Sequence, residues 1–340
     1  MTWKLWNRVE KNIGMEIKDT VLKMVEVQKS RDKRLLVNFL IEQIPEGLVS
    51  EGRIIDREKF EQFLFLTKNK AGIESKNLHL SVSSQNILLR PLRLPNLPEK
   101  ELAKVVHLEI ENTLQLPFEE YVSDFVIITD QAERTTAKEV DLMLVIAPKP
   151  YIQDYVDTLQ AVGFHLRSID LAPLAVQRMM ADRNTPQTFM IANIGEKNTE
   201  VGIVHQRALR LMHIFSQEFS KVQEGSFAGL QDAQRWVEYQ ERQGRSNSIL
   251  EDFGREIERI MNFYLYTLNN RNQTISEVNL VGDPENMQQL VEFLSGRLDI
   301  PVRVVGYGPV EVAPHLEATF QSAAPALIVP TGLAIKDVKA

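Results

Sequence analysis

The sequence predicts a bilobal α/β protein built on a duplicated strand pattern, and three observations carry that prediction. Its 340 residues exceed one small core, and roughly one domain per 150 residues gives about two bodies. Short apolar runs alternate with amphipathic helical runs along the chain, as α/β layering requires. Finally, the strand-turn-strand-strand pattern that opens at residue 13 returns over 188–214, and an internal repeat of this kind governs the architecture.

The elements follow in order. Residues 1–12, MTWKLWNRVEKN, set Trp3, Leu5, Trp6 and Val9 among Lys4, Arg8 and Lys11. That is an N-terminal arm which either packs its indoles on its own domain or lies in a membrane interface. Met15, Ile17, Val21, Met24, Val25 and Val27, broken by Lys18, Asp19 and Thr20, predict strand, tight turn, strand, and Leu35 to Ile44 a third strand closed by Pro45. Phe60, Phe63, Leu64 and Leu66 lie at helical spacing and end at Gly72, a natural C-cap. LHLSVSSQNILLRPLRL reads as two strands about Ser83, Ser84, Gln85 and Asn86.

The prolines of PLRLPNLP forbid regular helix and mark a subdomain boundary. Beyond it come an amphipathic helix carrying Leu102, Val105, Val106 and Ile110, two strands, a helix and a strand. This makes a compact α+β insert over 93–168, with 13–92 and 169–187 as the core of the first lobe. The second lobe is expected at 188–216 and 273–340, with a polar, largely helical subdomain over 217–272 whose apolar face includes Leu250, Phe253, Ile257, Ile260 and Tyr264.

Composition excludes several functions. With 44% hydrophobic and 25% charged residues the chain has material for real cores. A net charge of −7 without basic clusters argues against a nucleic-acid partner. The absence of Cys removes disulfides, thiolate metal ligands and thiol nucleophiles, and fits a cytoplasmic protein. No run approaches the roughly 18 apolar residues of a spanning helix. The six His residues are scattered singly, so neither a metal site nor a triad is expected. Glu109, Glu111, Glu119 and Glu120 read as solvated faces rather than an acid-base pair.

Two lobes that each present a strand-turn-strand turn to the other resemble the actin, Hsp70 and sugar-kinase superfold, a duplicated ribonuclease H-like design that clamps a nucleotide. Within it, GMEIKDTVLKMVEV, PLRLPNLPEKELAKVVHLEIENTLQLPFEEYVSDFVII, NIGEKNTEVGIV and VPTGLAIK resemble the PilM family of type IV pilus assembly in the order of that family. The Pro117–Phe118 pair with Asp124 and Phe125 is the most family-like stretch. The resemblance implies an actin-like fold with an FtsA/PilM-type insert subdomain in the first lobe. It further implies a cytoplasmic scaffold at the inner face of the membrane that receives the N-terminal tail of a PilN-like protein in a groove beside the insert. Other pilus-platform or motor proteins, self-association, and peripheral membrane contact through the partner or the arm come with it. Leu92, Leu94, Val106 and Ile110 are the groove candidates.

The family pattern implies a nucleotide site at Gly14, Glu16, Lys18, Asp19, Thr20 and Lys23 in the first turn, at Asn193, Gly195 and Thr199 in the second, and at Gly282 and Asp283. Glu16 keeps the acidic place, but Lys18 replaces a glycine and Asp19 sets a negative charge where phosphate would lie. Asn193 replaces an aspartate that would orient a metal, and Asp283 a second glycine. A degenerate site is therefore expected, with no cofactor and no enzymatic activity, weak binding of ATP and magnesium being left open. A nucleotide-dependent switch or slow ATPase, an FtsA-like filament and a small-molecule kinase are the alternatives.

Overall fold

The computed structural model describes residues 10–30, 33–129, 131–180, 186–217, 233–268, 270–283 and 287–337, the side chain at 131 and those of 233–247 excepted. Residues 1–9 of the arm, and residues 218–232 of the expected helical subdomain, thus lie outside the described residues.

The opening pattern folds as β1 (Glu10–Ile17), β2 (Val21–Lys29) and β3 (Arg34–Gln43), an antiparallel meander whose first two strands are buried nearly throughout. A small hairpin of β4 (Val49–Ser50) and β5 (Arg53–Ile54) leads to α1 (Arg57–Ala71). Asp56 caps this helix by accepting the Lys59 amide, and Gly72 ends it at φ 61. β6 (Asn77–Ser81) then pairs parallel with β1.

Residues 88–148 depart from this sheet. β7 (Leu88–Pro95), β8 (Tyr121–Ile127) and β9 (Glu139–Pro148) form their own antiparallel sheet with β9 central. The amphipathic α2 (Glu99–Thr113) covers it through Leu102, Val106 and Ile110, which close a separate core with Leu142, Leu144 and Ile146. The short α3 (Gln131–Arg134) links β8 to β9. α4 (Lys149–Ala161) sends Tyr151, Tyr155 and Leu159 into the main core, and β10 (His165–Asp170) pairs parallel with β6. The small sheet therefore begins and ends earlier than the expected 93–168, because Tyr151, Tyr155 and Leu159 bury against the large core rather than against α2.

After α5 (Ala172–Met179) the pattern repeats as β11 (Thr188–Ile194), β12 (Asn198–His205) and β13 (Ala208–Ser216). α6 (Ala233–Asn262) continues in one π-turn to Thr267 and packs Phe253, Ile257 and Ile260 on this second sheet. β14 (Val278–Gly282), α7 (Met287–Arg297) and β15 (Val302–Val304) extend it in parallel. β16 (Glu311–Val312) crosses back to pair with β3, and α8 (Glu317–Ala323) and α9 (Ile328–Ala334) end the described chain.

The two large sheets run β3-β2-β1-β6-β10 and β13-β12-β11-β14-β15, the same order and the same parallel and antiparallel relations, with β16 added to the first. The duplication seen in sequence is thus a duplication of topology. α5 and α9 lie between the sheets, and a single apolar cluster runs from Ile13 and Leu80 through Val176 and Leu333 to Ile191 and Val281. Close approach makes this layer dense: a Cβ at Gly14 would stand 1.7 Å from the Pro330 carbonyl oxygen, and one at Gly332 would stand 2.0 Å from that of Ala175.

Candidate functional site

The site forms where the two halves present equivalent strand ends to each other. Glu16 is the next-to-last residue of β1 and stands opposite Lys23 on β2. Asn193 is the next-to-last residue of β11 and stands opposite Glu200 on β12. The cleft brings them into contact: Asn193 Nδ2 donates to Glu16 Oε1 at 2.8 Å, and Lys18 Nζ donates to Asn193 Oδ1 at 3.2 Å. Lys23 Nζ donates to Glu16 Oε2 at 3.1 Å and pairs with Asp283 Oδ1 at 2.5 Å. Asp283 reaches it from the end of β14, where its amide donates to the Ile194 carbonyl.

The charges in this network are deeply placed, the Lys23 side chain being 0% and the Glu16 side chain 3% exposed. Burial penalises the Lys23 ammonium, but Asp283 and Glu16 outweigh it and hold its pKa above the ordinary value. Burial likewise opposes ionisation of Glu16, yet Lys23, Lys18 and the Asn193 amide outweigh that cost and hold its pKa below the usual carboxylate range. At Glu200 the balance is reversed: burial raises its pKa by more than Ser84 and Lys18 lower it, and its Oε1 lacks a hydrogen-bond partner. A cavity of about 10 Å³ lies between Glu16, Lys18, Ser83 and Glu200 and holds about one water molecule.

Each expected nucleotide-site residue has a definite place. Gly14 lies two residues before Glu16 on the same face of β1, where its missing side chain admits the Pro330 carbonyl, so its role is packing against α9. Lys18 stays in the tight turn, its amide donating to the Val21 carbonyl, and its side chain crosses the cleft to within 3.1 Å of the Cβ position of Gly195. The Asp19 carboxylate accepts the Glu51 amide at 2.9 Å and the Gly52 amide at 2.8 Å. Thr20 contributes its carbonyl, which accepts the Ile44 amide. Thr199 is fully buried and its hydroxyl lacks a hydrogen-bond partner. Gly282 sits at φ 123, where a Cβ would stand 1.9 Å from the Ile194 carbonyl oxygen, so strand packing fixes this glycine.

The groove candidates are corrected. Leu94, Val106 and Ile110 are buried and Leu92 half-buried in the core beneath α2. Their spacing marks the buried faces of a strand and a helix, and those faces meet each other. A groove of about 610 Å³ lies instead beside the small sheet, with Arg53 of β5, Asn86 and Tyr151 of α4 on one wall and Pro117, Phe118 and Glu120, just before β8, on the other. Arg53 Nη2 donates to Asn86 Oδ1, and Tyr151 donates to the Ser83 carbonyl. Sequence reasoning missed Glu200 and Arg53. Glu200 was signalled as the charged residue opposite the apolar run VGIV, at the position equivalent to Lys23, whereas nothing local distinguished Arg53.

Two duplicated sheets closing over a polar cleft define a protein of the actin-like ATPase fold. A family model described as type IV pilus assembly protein PilM matches residues 14–221, more than half of the chain, and the chain belongs to that family. Among solved structures it is similar to a chain of the PilM-PilN type IV pilus biogenesis complex, at 21% identity and TM-score 0.78, covering 97% of this chain and 99% of that one. More distant likenesses are the ethanolamine utilization protein EutJ from Carboxydothermus hydrogenoformans, at 13% identity and TM-score 0.48 over 96% and 89% of the two chains. MreB5 of Spiroplasma citri bound to ADP matches at 8% and 0.49 over 95% and 94%. Among the described residues no helix is long and apolar enough to cross a membrane, and no cluster of three His, Asp or Glu side chains is arranged to hold a metal ion.

Proposed function

We propose that this chain is a scaffold of type IV pilus assembly that binds an extended segment of a PilN-like membrane protein and uses its former nucleotide cleft as an internal brace. It works at the inner face of the cytoplasmic membrane, held there by that partner, and joins it to other components of the pilus platform. The groove beside the small sheet carries the partner half of this reading. Its volume suits an extended peptide, its Pro117, Phe118 and Pro150 surfaces suit alternate apolar side chains, and its Arg53 and Asn86 groups suit backbone carbonyls. A solved chain to which this one is similar belongs to a PilM-PilN type IV pilus biogenesis complex.

The polar cleft supports the second half. ATP with magnesium does not fit the residues present, because the Lys18 side chain fills the approach to Gly195 and Lys23 is already neutralised by Asp283 and Glu16. The cavity beside Lys18 is about 10 Å³, room for about one water molecule and not for a phosphate group. A further carboxylate, that of Asp19, stands beside it and repels a polyanion. Calorimetric titration of the full chain with a synthetic peptide of the N-terminal tail of a PilN-type protein tests the reading. Saturable one-to-one binding is expected, and a flat titration overturns it.

A further inference from the structure

Asp19 is the turn residue least suited to a phosphate, and its carboxylate is fully engaged elsewhere. It accepts the amides of Glu51 and Gly52, the two residues of the turn between β4 and β5. Glu51 has φ 52 and Gly52 φ 71, the left-handed pair that a two-residue hairpin requires, and Glu51 adopts it without the freedom of a glycine. A carboxylate taking both amides holds this turn in place. The carbonyl side of the turn is fixed as well: Asn86 Nδ2 donates to the Glu51 carbonyl at 3.0 Å and Tyr155 to the Gly52 carbonyl at 2.8 Å. The next residue is Arg53, whose guanidinium bonds Asn86 and lies 5.9 Å from the centre of the Tyr151 ring, and these three form one wall of the groove.

We propose that Asp19 is a positioning residue for the peptide groove: the turn that descends from a phosphate grip now sets the Arg53–Asn86 wall by clamping the 51–52 hairpin. The proposal rests on the groove reading given above and adds a physical link between cleft and groove. It gives the negative charge in this turn a structural role. A serine or glycine at position 19 would suit a phosphate but leave two hairpin amides without their charged acceptor, and hydrogen bonds to a charged group are the stronger kind.

Two measurements test it. Hydrogen exchange of the peptide-free full chain reads the clamp itself: Asp19→Ala is expected to speed exchange at Glu51 and Gly52 about tenfold or more, since at least one charge-assisted bond worth roughly a factor of ten is lost. Unchanged exchange there overturns the proposal whether or not any peptide binds. Calorimetry with the same tail peptide reads the consequence. Asp19→Ala and Arg53→Ala are each expected to weaken binding about tenfold, and the double variant to bind no worse than Arg53→Ala, because one acts through the other. Fully additive losses, or an Asp19→Ala protein that binds like the parent, overturn it. If the parent itself gives no heat, the groove reading fails, and the exchange experiment still decides the role of Asp19. Asp19→Asn, which keeps an acceptor of the same shape, is expected to lie between Ala and the parent in both measurements, a pattern that general destabilisation would not produce.

Discussion

Replacing Lys23 by methionine probes the brace at its centre. The ammonium is wholly buried between Glu16, at 3.1 Å, and Asp283, at 2.5 Å. Methionine keeps the length of the side chain but leaves two carboxylates facing each other across the cleft without their shared counter-ion. Breaking a buried ion pair by removing one partner costs about 3–5 kcal/mol, because the surviving charge has no compensation. Lys18, at 3.8 Å from Glu16, offsets part of this, so the lower end, ~3 kcal/mol, is expected. Neutralising all three groups together, with Glu16→Gln and Asp283→Asn added to Lys23→Met, is expected to restore stability to within about 1 kcal/mol of the parent, since replacing an entire buried network is often close to neutral. Urea unfolding of the parent, the single and the triple variant, without nucleotide, reads both values. A phosphate-binding lysine in an open cleft behaves differently, because its removal relieves like charge and costs little when no phosphate is present. A Lys23→Met protein within about 1 kcal/mol of the parent would therefore refute the brace.

Two further outcomes follow from the same geometry. Glu200 has its pKa raised above 4.5 in the folded chain, so the folded state binds a proton more tightly than the unfolded one, and stability falls as pH rises from 4.5 through the folded pKa. Glu200→Gln removes that loss; its urea midpoint is expected to exceed the parent's at pH about 8 and to converge on it near 4.5, and a lower midpoint at the alkaline end contradicts the assignment. At Gly14 an added methyl would meet the Pro330 carbonyl at 1.7 Å, a backbone contact with no side chain to give way. Gly14→Ala is expected to cost at least the 1–3 kcal/mol of ordinary overpacking, measured as a fall in thermal midpoint, while an unchanged midpoint would mean that α9 does not seat against β1 as described.

Much of the fold was legible because its signals are local. The turn residues after Ile17 and Ile194 and the αL glycine at Gly72 each act within a few residues of themselves, and the repeated strand order follows from reading the two halves side by side. What stayed hidden depends on contacts distant in sequence. Gly14 reads as part of a ligand turn until Pro330, more than 300 residues away, is found against it. Leu94, Val106 and Ile110 announce burial by their spacing, but periodicity does not name the surface that buries them, and here it is one another. The span expected for the insert ran too far because α4 looks equally amphipathic whichever sheet it covers. Asp19 read only as a charge hostile to phosphate, since its two amide partners belong to a hairpin about thirty residues onward. In the cleft, sequence identified the departures at Lys18, Asn193 and Asp283, whereas the structure adds that these residues bond to one another and to Glu16 and Lys23.

The claim that these side chains occupy the place of a nucleotide is tested most directly by thermal unfolding of the full chain with and without about 5 mM Mg-ATP. A ligand present at 100 times its Kd adds about 2.7 kcal/mol to the folded state. A cleft braced by Lys18, Lys23, Glu16, Asn193 and Asp283 predicts the same melting temperature in both samples, and a clear saturable rise with Mg-ATP would contradict it.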